Sequence, residues 1–194
     1  MHWFGVPGLA NGLAVMRDEE SKSLWDHITG ECFDGPLEGR QLDGWPVSIT
    51  TVGAELERDS EAIALPSDYR TMKSSFMKAV LGRMTGIAKE GTFLAPHFRN
   101  SMSSEIDPRL PEGEQGLGVM DDGFNGKFYP SRVLQDGPVV DEWRGRELKV
   151  ELDPKDRIPF AIDTQTGERP MQLLTRWYGF SFTCPDCDIY SPSS

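Results

Sequence analysis

Cys184 and Cys187 in FTCPDCDIY stand three residues apart, the spacing used by dithiol redox sites and by zinc half-sites. A reactive dithiol works best at a helix N-terminus, where the helix dipole lowers the thiol pKa. Here the residues that follow, DIYSPSS, offer a short strand and a polar tail. A zinc or copper site needs further ligands, and only Cys32 and the three histidines remain among soft or imidazole donors. The pattern favours a loop holding incidental cysteines. Cys32, Cys184 and Cys187 are the ligand candidates if zinc or copper is bound.

His27 and Glu31 lie four apart in WDHITGECFDG. On a helix they would share one face, a metal-compatible arrangement, but Gly30 and its neighbours read as a turn. Asp26 and Glu31 are a carboxylate pair suited to acid–base work if their separation allows it. His97 sits on a loop with Arg99, Asn100 and Ser101, and loop histidines are more often functional than core ones. A Ser–His pair needs a positioned acid, and no G-x-S-x-G elbow is present. Arg99 and Arg109 can bind an anion, though pairing with the many carboxylates is favoured. Trp3, Trp25, Trp45, Trp143 and Trp177 can make flat platforms, but in a β-rich chain most tryptophans pack in the core. No phosphate loop, dinucleotide fingerprint or EF-hand occurs.

Two functional readings follow. The first is a non-catalytic binding or structural module for a small-molecule ligand, with Trp25, His27, Glu31, His97, Arg99 and Trp177 as its binding residues. The second is a metal-dependent hydrolase or thiol-dependent redox enzyme using His27, Glu31 and His97 with Cys32, Cys184 or Cys187. The first is favoured, because no acid, base and nucleophile set assembles from the sequence.

These residues must be positioned by a chain of 194 residues, enough for one domain or two small lobes sharing a core. A hydrophobic fraction of 38% with 26% charged residues fits a globular protein, and Gly 20 with Pro 14 points to many turns and short elements. The net charge of −11, from 20 basic and 31 acidic residues, argues against nucleic acid. No Lys/Arg run suits an anionic membrane, and no apolar stretch approaches the roughly 20 residues of a spanning helix. The opening MHWFGVPGLANGLAVMRDEE lacks the basic and continuous apolar regions of a signal peptide. The cytoplasm is the default expectation, and three cysteines are too few for a disulfide framework.

The coarse pattern predicts a strand, a turn at Ala10–Gly12 and a strand at Leu13–Arg17. A short strand follows near Leu24 and Trp25, with turns at Gly30 and Gly35. Strands are expected at Val47–Thr51 and Ala62–Leu65 around a helix near Ala54–Arg58. Met72, Phe76, Val80, Met84 and Ile87 recur at three or four residues and predict one longer helix. The stretch from Phe93 to Gly116 reads as an irregular loop with three prolines. Strands are expected at Gly116–Met120, Lys127–Tyr129, Leu148–Leu152 and Ile158–Ile162, with hairpin-type turns at DDGFNG and DTQTGE. PSRVLQDG suits one helical turn, and LLTRWYGFSFT a short buried helix or strand. WPVSITTVGAELERDSEAIAL lays faintly over RPMQLLTRWYGFSFTCPDCDIY, a weak internal repeat.

FGVPGLANGLAVMRDEESKSLWDHITGECFDGPLEGRQL, with its S-x-W, T-G-E and G-P-L-x-G motifs, resembles the bacterial and archaeal family called domain of unknown function 3179. RLPEGEQGLGVMDDGFNGKFYP and TRWYGFSFTCPDCDIY resemble its second half. The resemblance implies a structural turn at Trp25, Thr29, Gly30 and Glu31, and turn-forming roles for Pro185 and Asp186. It also implies that the family pattern begins upstream of this chain, with a C-P-x-C segment. The expected fold is α+β and β-rich. Its short strands form two related small lobes, an incomplete one over 1–66 and another over 113–194, joined by a helix and loop over 67–112. A strand edge left open in the first lobe could be covered by a second copy or another chain.

Overall fold

The computed structural model describes residues 3–44, 47–63 and 98–192. Twelve described strands fall into three antiparallel-dominated sheets with two short α-helices, so the chain is α+β and β-rich. The longer helix read over Met72–Ile87 lies outside the described residues, as do Trp45 and His97.

The first sheet joins β1 (Phe4–Gly5), β2 (Leu9–Ala10), β3 (Leu13–Asp18), β4 (Leu24–Asp26) and β5 (Cys32–Asp34). β1 and β2 both pair with β3, separated by Val6, Pro7 and Gly8. Pro7 lacks the N–H a continuous ladder would need. Asn11 and Gly12 take positive φ between β2 and β3, as a tight hairpin of right-handed twist requires.

The motifs shared with the resembled family are turn scaffolding. Asp26 Oδ1 accepts the N–H groups of Ile28 and Thr29 at 2.7 and 3.0 Å, and the Gly30 N–H closes onto the Asp26 carbonyl. Ser23, fully buried, accepts the Leu37 N–H on its hydroxyl at 3.1 Å. Gly35, at φ +100°, leaves no room for a Cβ, which would stand 2.8 Å from Ser23 Cα.

Val47–Thr51 forms no strand, contrary to the strand expected there. Its alternation looks strand-like, yet Val47 and Ile49 are exposed, and its polar groups serve other ends. Thr51 caps α1 (Val52–Arg58) by accepting the Ala54 N–H. Thr50 Oγ1 donates to Asp156 at 2.8 Å, and Arg58 pairs with Asp153, which ties this helix to the C-terminal part. Ala62 and Ile63 are also outside any strand.

The second sheet has the order β11 (Met171–Arg176), β6 (Gln115–Met120), β7 (Gly126–Pro130), β12 (Asp188–Ile189), with β12 parallel to β7. The third has the order β10 (Pro159–Asp163), β9 (Arg146–Leu152), β8 (Val139–Trp143). β8 was not foreseen. Its Asp141 looks like a surface residue in sequence but accepts from the Tyr129 hydroxyl at 2.8 Å and pairs with Lys127 at 2.6 Å. Asp163–Glu168 is a turn, as expected, but it joins strands of different sheets and so closes no hairpin. At that crossing the Gln172 side chain bonds both backbone groups of Ala161: its Oε1 accepts the N–H at 2.7 Å and its Nε2 donates to the carbonyl at 3.2 Å.

LLTRWYGFSFT divides between the two readings given to it: β11 ends at Arg176 and α2 (Trp177–Thr183) begins at once. The Trp177 and Tyr178 N–H groups at the helix start donate to the carbonyls of Glu114 and Glu112, so the loop before β6 satisfies donors that no side chain caps. α2 packs on the second sheet through Phe180, which lies over Gly118 and Gly126. Its other side meets the first sheet, where Tyr178 covers Gly12 and Leu13 covers Gly179. Two clusters make the core. One is built on Leu117, Tyr129, Leu148 and Val150 between the second and third sheets, the other on Phe128, Trp177, Phe180 and Cys184 beneath α2.

Candidate functional site

Residues 99–112 line a shallow cleft of about 510 Å³. Met102, Ile106 and Leu110, all half-buried, supply its apolar lining together with Pro108. Arg99, Ser104, Glu105, Asp107 and Glu112 supply its polar lining, which is the larger part.

Contacts behind the loop hold this wall. Trp177, with no exposed surface, donates its indole N–H to the Asp107 carbonyl at 2.8 Å. The Arg109 guanidinium lies 5.4 Å from the Trp177 ring centre, within cation–π range. It donates to the Cys187 carbonyl at 2.8 Å and pairs with the Asp107 carboxylate at 2.7 Å. The hydrogen bond from Arg109 holds the Asp107 carboxyl below the usual aspartate range. Ile106 and Leu110 pack on the Trp177 cluster. On the other side Asn11 fixes the loop by accepting the Ser103 N–H at 2.9 Å, while Gly12 donates to the Ser101 hydroxyl.

The residues singled out in sequence are distributed as follows. Arg99 lines the cleft, 70% exposed, with one nitrogen against both oxygens of Glu112 at 2.6–2.7 Å. Trp177 stands behind its wall. Trp25, buried in β4, has an indole nitrogen with no hydrogen-bond partner among the described residues. His27 is exposed and its Nδ1 lies 2.7 Å from the Ala14 carbonyl, an arrangement that places the proton on Nδ1. Glu31 is exposed, bridging to Gln41. Trp25, His27 and Glu31 do not line the cleft, and His97 lies outside the described residues. Arg99 and Arg109 both pair with carboxylates, the arrangement favoured from sequence.

All three cysteines are buried and unbridged. Cys32 lies in β5, with Sγ 3.5 Å from the Asp34 carbonyl. Cys184 ends α2 and Cys187 follows across a tight turn in which Asp186 takes φ +59°. Burial pushes the Cys184 thiol up to about 12 and the Cys187 thiol up to about 11, the latter against the opposing pull of Arg109. Both stay neutral near pH 8, and a neutral thiol is a poor nucleophile. Among the described residues no three His, Cys, Asp or Glu side chains are grouped to hold a metal ion.

A labelling prediction follows. At about pH 8 Cys184 and Cys187 of the folded protein react with a thiol reagent at least about 100-fold more slowly than in the unfolded chain, since a shift of two or more pKa units removes that much thiolate. Fast labelling of Cys184 or Cys187 in the folded state would contradict it. The linkage has a fixed sign. Because the folded thiol pKa values are raised, the stability they carry is complete below the ordinary thiol value of about 8.5 and declines as pH rises from there towards 11–12.

A family model described as protein of unknown function (DUF3179) matches residues 2–184. The chain belongs to that family. No curated protein and no solved structure matches it. The DUF3179 match covers every element from β1 to α2 and ends at Cys184, before β12. Among its described residues no helix is long and apolar enough to cross a membrane.

Of the residues singled out in sequence, Arg99 lines the cleft and Trp177 stands behind it, while the cleft itself was not read from the sequence. Met102, Ile106 and Leu110 recur every four residues in SMSSEIDPRLPEGE, with charged residues between them. That pattern is the available signal. It resembles a helix stripe, but two prolines prevent a helix from using it.

Proposed function

We propose that this protein is a non-catalytic binding module whose binding surface is the cleft formed by residues 99–112. One observation carries the reading: a cleft lined by both charged and apolar side chains, whose wall is held in place by the buried Trp177 and the Arg109–Asp107 pair. Fixed polar groups beside apolar side chains orient a small ligand. A wall already held before binding costs little ordering when the ligand arrives. The thiol-redox reading is disfavoured by core-packed thiols that burial keeps neutral.

A thermal-shift screen of chemically diverse small molecules tests this, read by tryptophan fluorescence. Ligands at a tenfold excess over the dissociation constant should raise the melting temperature by about 3–6 °C and be recovered unchanged. Ser104→Trp, on the exposed margin of the cleft, should abolish the shifts without unfolding the protein. Ligands indifferent to Ser104→Trp, or chemically consumed, would overturn the proposal.

A further inference from the structure

We infer that Asn11–Gly12 is a spontaneous modification site gated by segment 98–103: Asn11 deamidates only when that segment lets go, and the isoaspartyl product keeps it from docking again. The inference is independent of what the cleft binds. The chemistry needs water alone. The Gly12 backbone nitrogen gives up its proton to solvent and bonds to Asn11 Cγ. The Cγ–Nδ2 bond breaks, and the side-chain nitrogen takes up a proton and leaves as ammonia. Water then opens the resulting cyclic imide. Opening at the side-chain carbonyl gives aspartate. Opening at the backbone carbonyl gives isoaspartate, whose main chain runs through Cβ. Glycine as the following residue has no side chain to hinder the attack.

Both partners to that attack are engaged in the structure. Ala10 pairs with Leu13, so Asn11 and Gly12 form a two-residue hairpin loop, and both take positive φ, the mark of a type I′ turn. Such a turn has ψ of about +30° at its first central residue, which holds the next nitrogen near that residue's own nitrogen and away from its side chain. Segment 98–103 locks this geometry. The Gly12 N–H, whose proton must be lost, donates to Ser101 Oγ at 3.0 Å, and the Asn11 N–H donates to the Ser101 carbonyl at 2.8 Å. Asn11 Oδ1 accepts the N–H and the hydroxyl of Ser103 at 2.9 and 2.8 Å. The Ser101 hydroxyl donates to the Phe98 carbonyl at 2.6 Å, and buried Phe98 packs on Tyr178 with ring centres 5.3 Å apart. Ring closure therefore requires a local opening that breaks these bonds together. Isoaspartate at position 11 adds one atom to the backbone of a loop whose length sets the hairpin. The two N–H groups then no longer meet Ser101, and the start of the cleft wall loses its anchor.

Peptide mapping by mass spectrometry, during incubation in warm, mildly alkaline buffer, follows the conversion residue by residue. Asn11 should convert at least about tenfold more slowly in the folded protein than in the chain unfolded by guanidinium chloride. Ser101→Ala combined with Ser103→Ala removes two of the locking hydrogen bonds and should speed conversion at Asn11 by about three- to tenfold, with circular dichroism confirming that the fold is kept. A second Asn–Gly pair, Asn125–Gly126, has its amide nitrogen held by Asp121, and its rate should not change. Phe98→Leu loosens the segment from outside the turn and should act in the same direction as the serine changes. The isoaspartyl form, resolved chromatographically, should exchange amide hydrogens faster over 99–105 than the unmodified protein. Equal rates at Asn11 in the folded and unfolded chains, or no acceleration in either variant, would overturn the gating. An isoaspartyl form with unchanged protection over 99–105 would overturn the claim that the segment cannot dock again.

Discussion

Gly118→Ala should destabilise the fold by about 2–3 kcal/mol, the cost of overpacking a filled core. An added Cβ at Gly118 would stand 2.0 Å from the Phe180 ring, with two further ring carbons inside 2.9 Å. Neither side can move easily. Gly118 sits in β6, between β11 and β7 in the second sheet. Phe180 is fully buried and pressed against Gly126 as well. Urea unfolding of Gly118→Ala, Phe180→Leu and the pair together checks the cause. A smaller side chain at 180 makes room, so the double variant should be at least about 1 kcal/mol more stable than the sum of the single effects. Strict additivity would mean that α2 does not rest on Gly118.

Trp177→Ala should cost about 3–5 kcal/mol, the range for removing a large buried aromatic side chain. Trp177 has no exposed surface, packs edge-on to Phe128 with ring centres 5.2 Å apart, and carries Arg109 on its face. Trp177→Phe separates packing from hydrogen bonding. It keeps most of the apolar volume but cannot donate to the Asp107 carbonyl, so its cost should be about 1–2 kcal/mol. Its second effect should be local: faster amide hydrogen exchange over 105–110, and weaker binding of any cleft ligand, while β9 and β10 keep their protection. Uniform loosening of the whole chain would show that Trp177 supports the core without organising the cleft.

Legibility in the sequence followed the range of the interactions involved. Leu13–Arg17, Lys127–Tyr129 and Leu148–Leu152 declared themselves through short-period alternation and flanking glycine turns, because strand register and turn conformation are local matters. Gly30 and Gly35 were readable for the same reason, and both take positive φ. Val47–Thr51 misled because alternation says nothing about a partner strand. Its threonines cap α1 and tether it to Asp156. β8 was hidden because Asp141, polar in sequence, is satisfied by Lys127 and Tyr129 from another sheet. The CPDC turn was rightly separated from a helix N-terminus: its cysteines stand after α2, at the end whose dipole disfavours thiolate. The cleft was illegible because its wall depends on Trp177 meeting Asp107, seventy positions away.

The amide of Gln172 has a consequence beyond the two bonds it makes. β10 is an outer strand of its sheet, and Ala161 lies at its middle. By occupying both backbone groups there, Gln172 acts as a one-residue false neighbour, and a strand from another molecule finds that docking position taken. Its contribution is therefore less to the depth of the folded state than to keeping concentrated solutions of this protein free of sheet-to-sheet polymerisation. A substitution such as Gln172→Ala would then be felt in the lag time of aggregation before it is felt in the melting temperature.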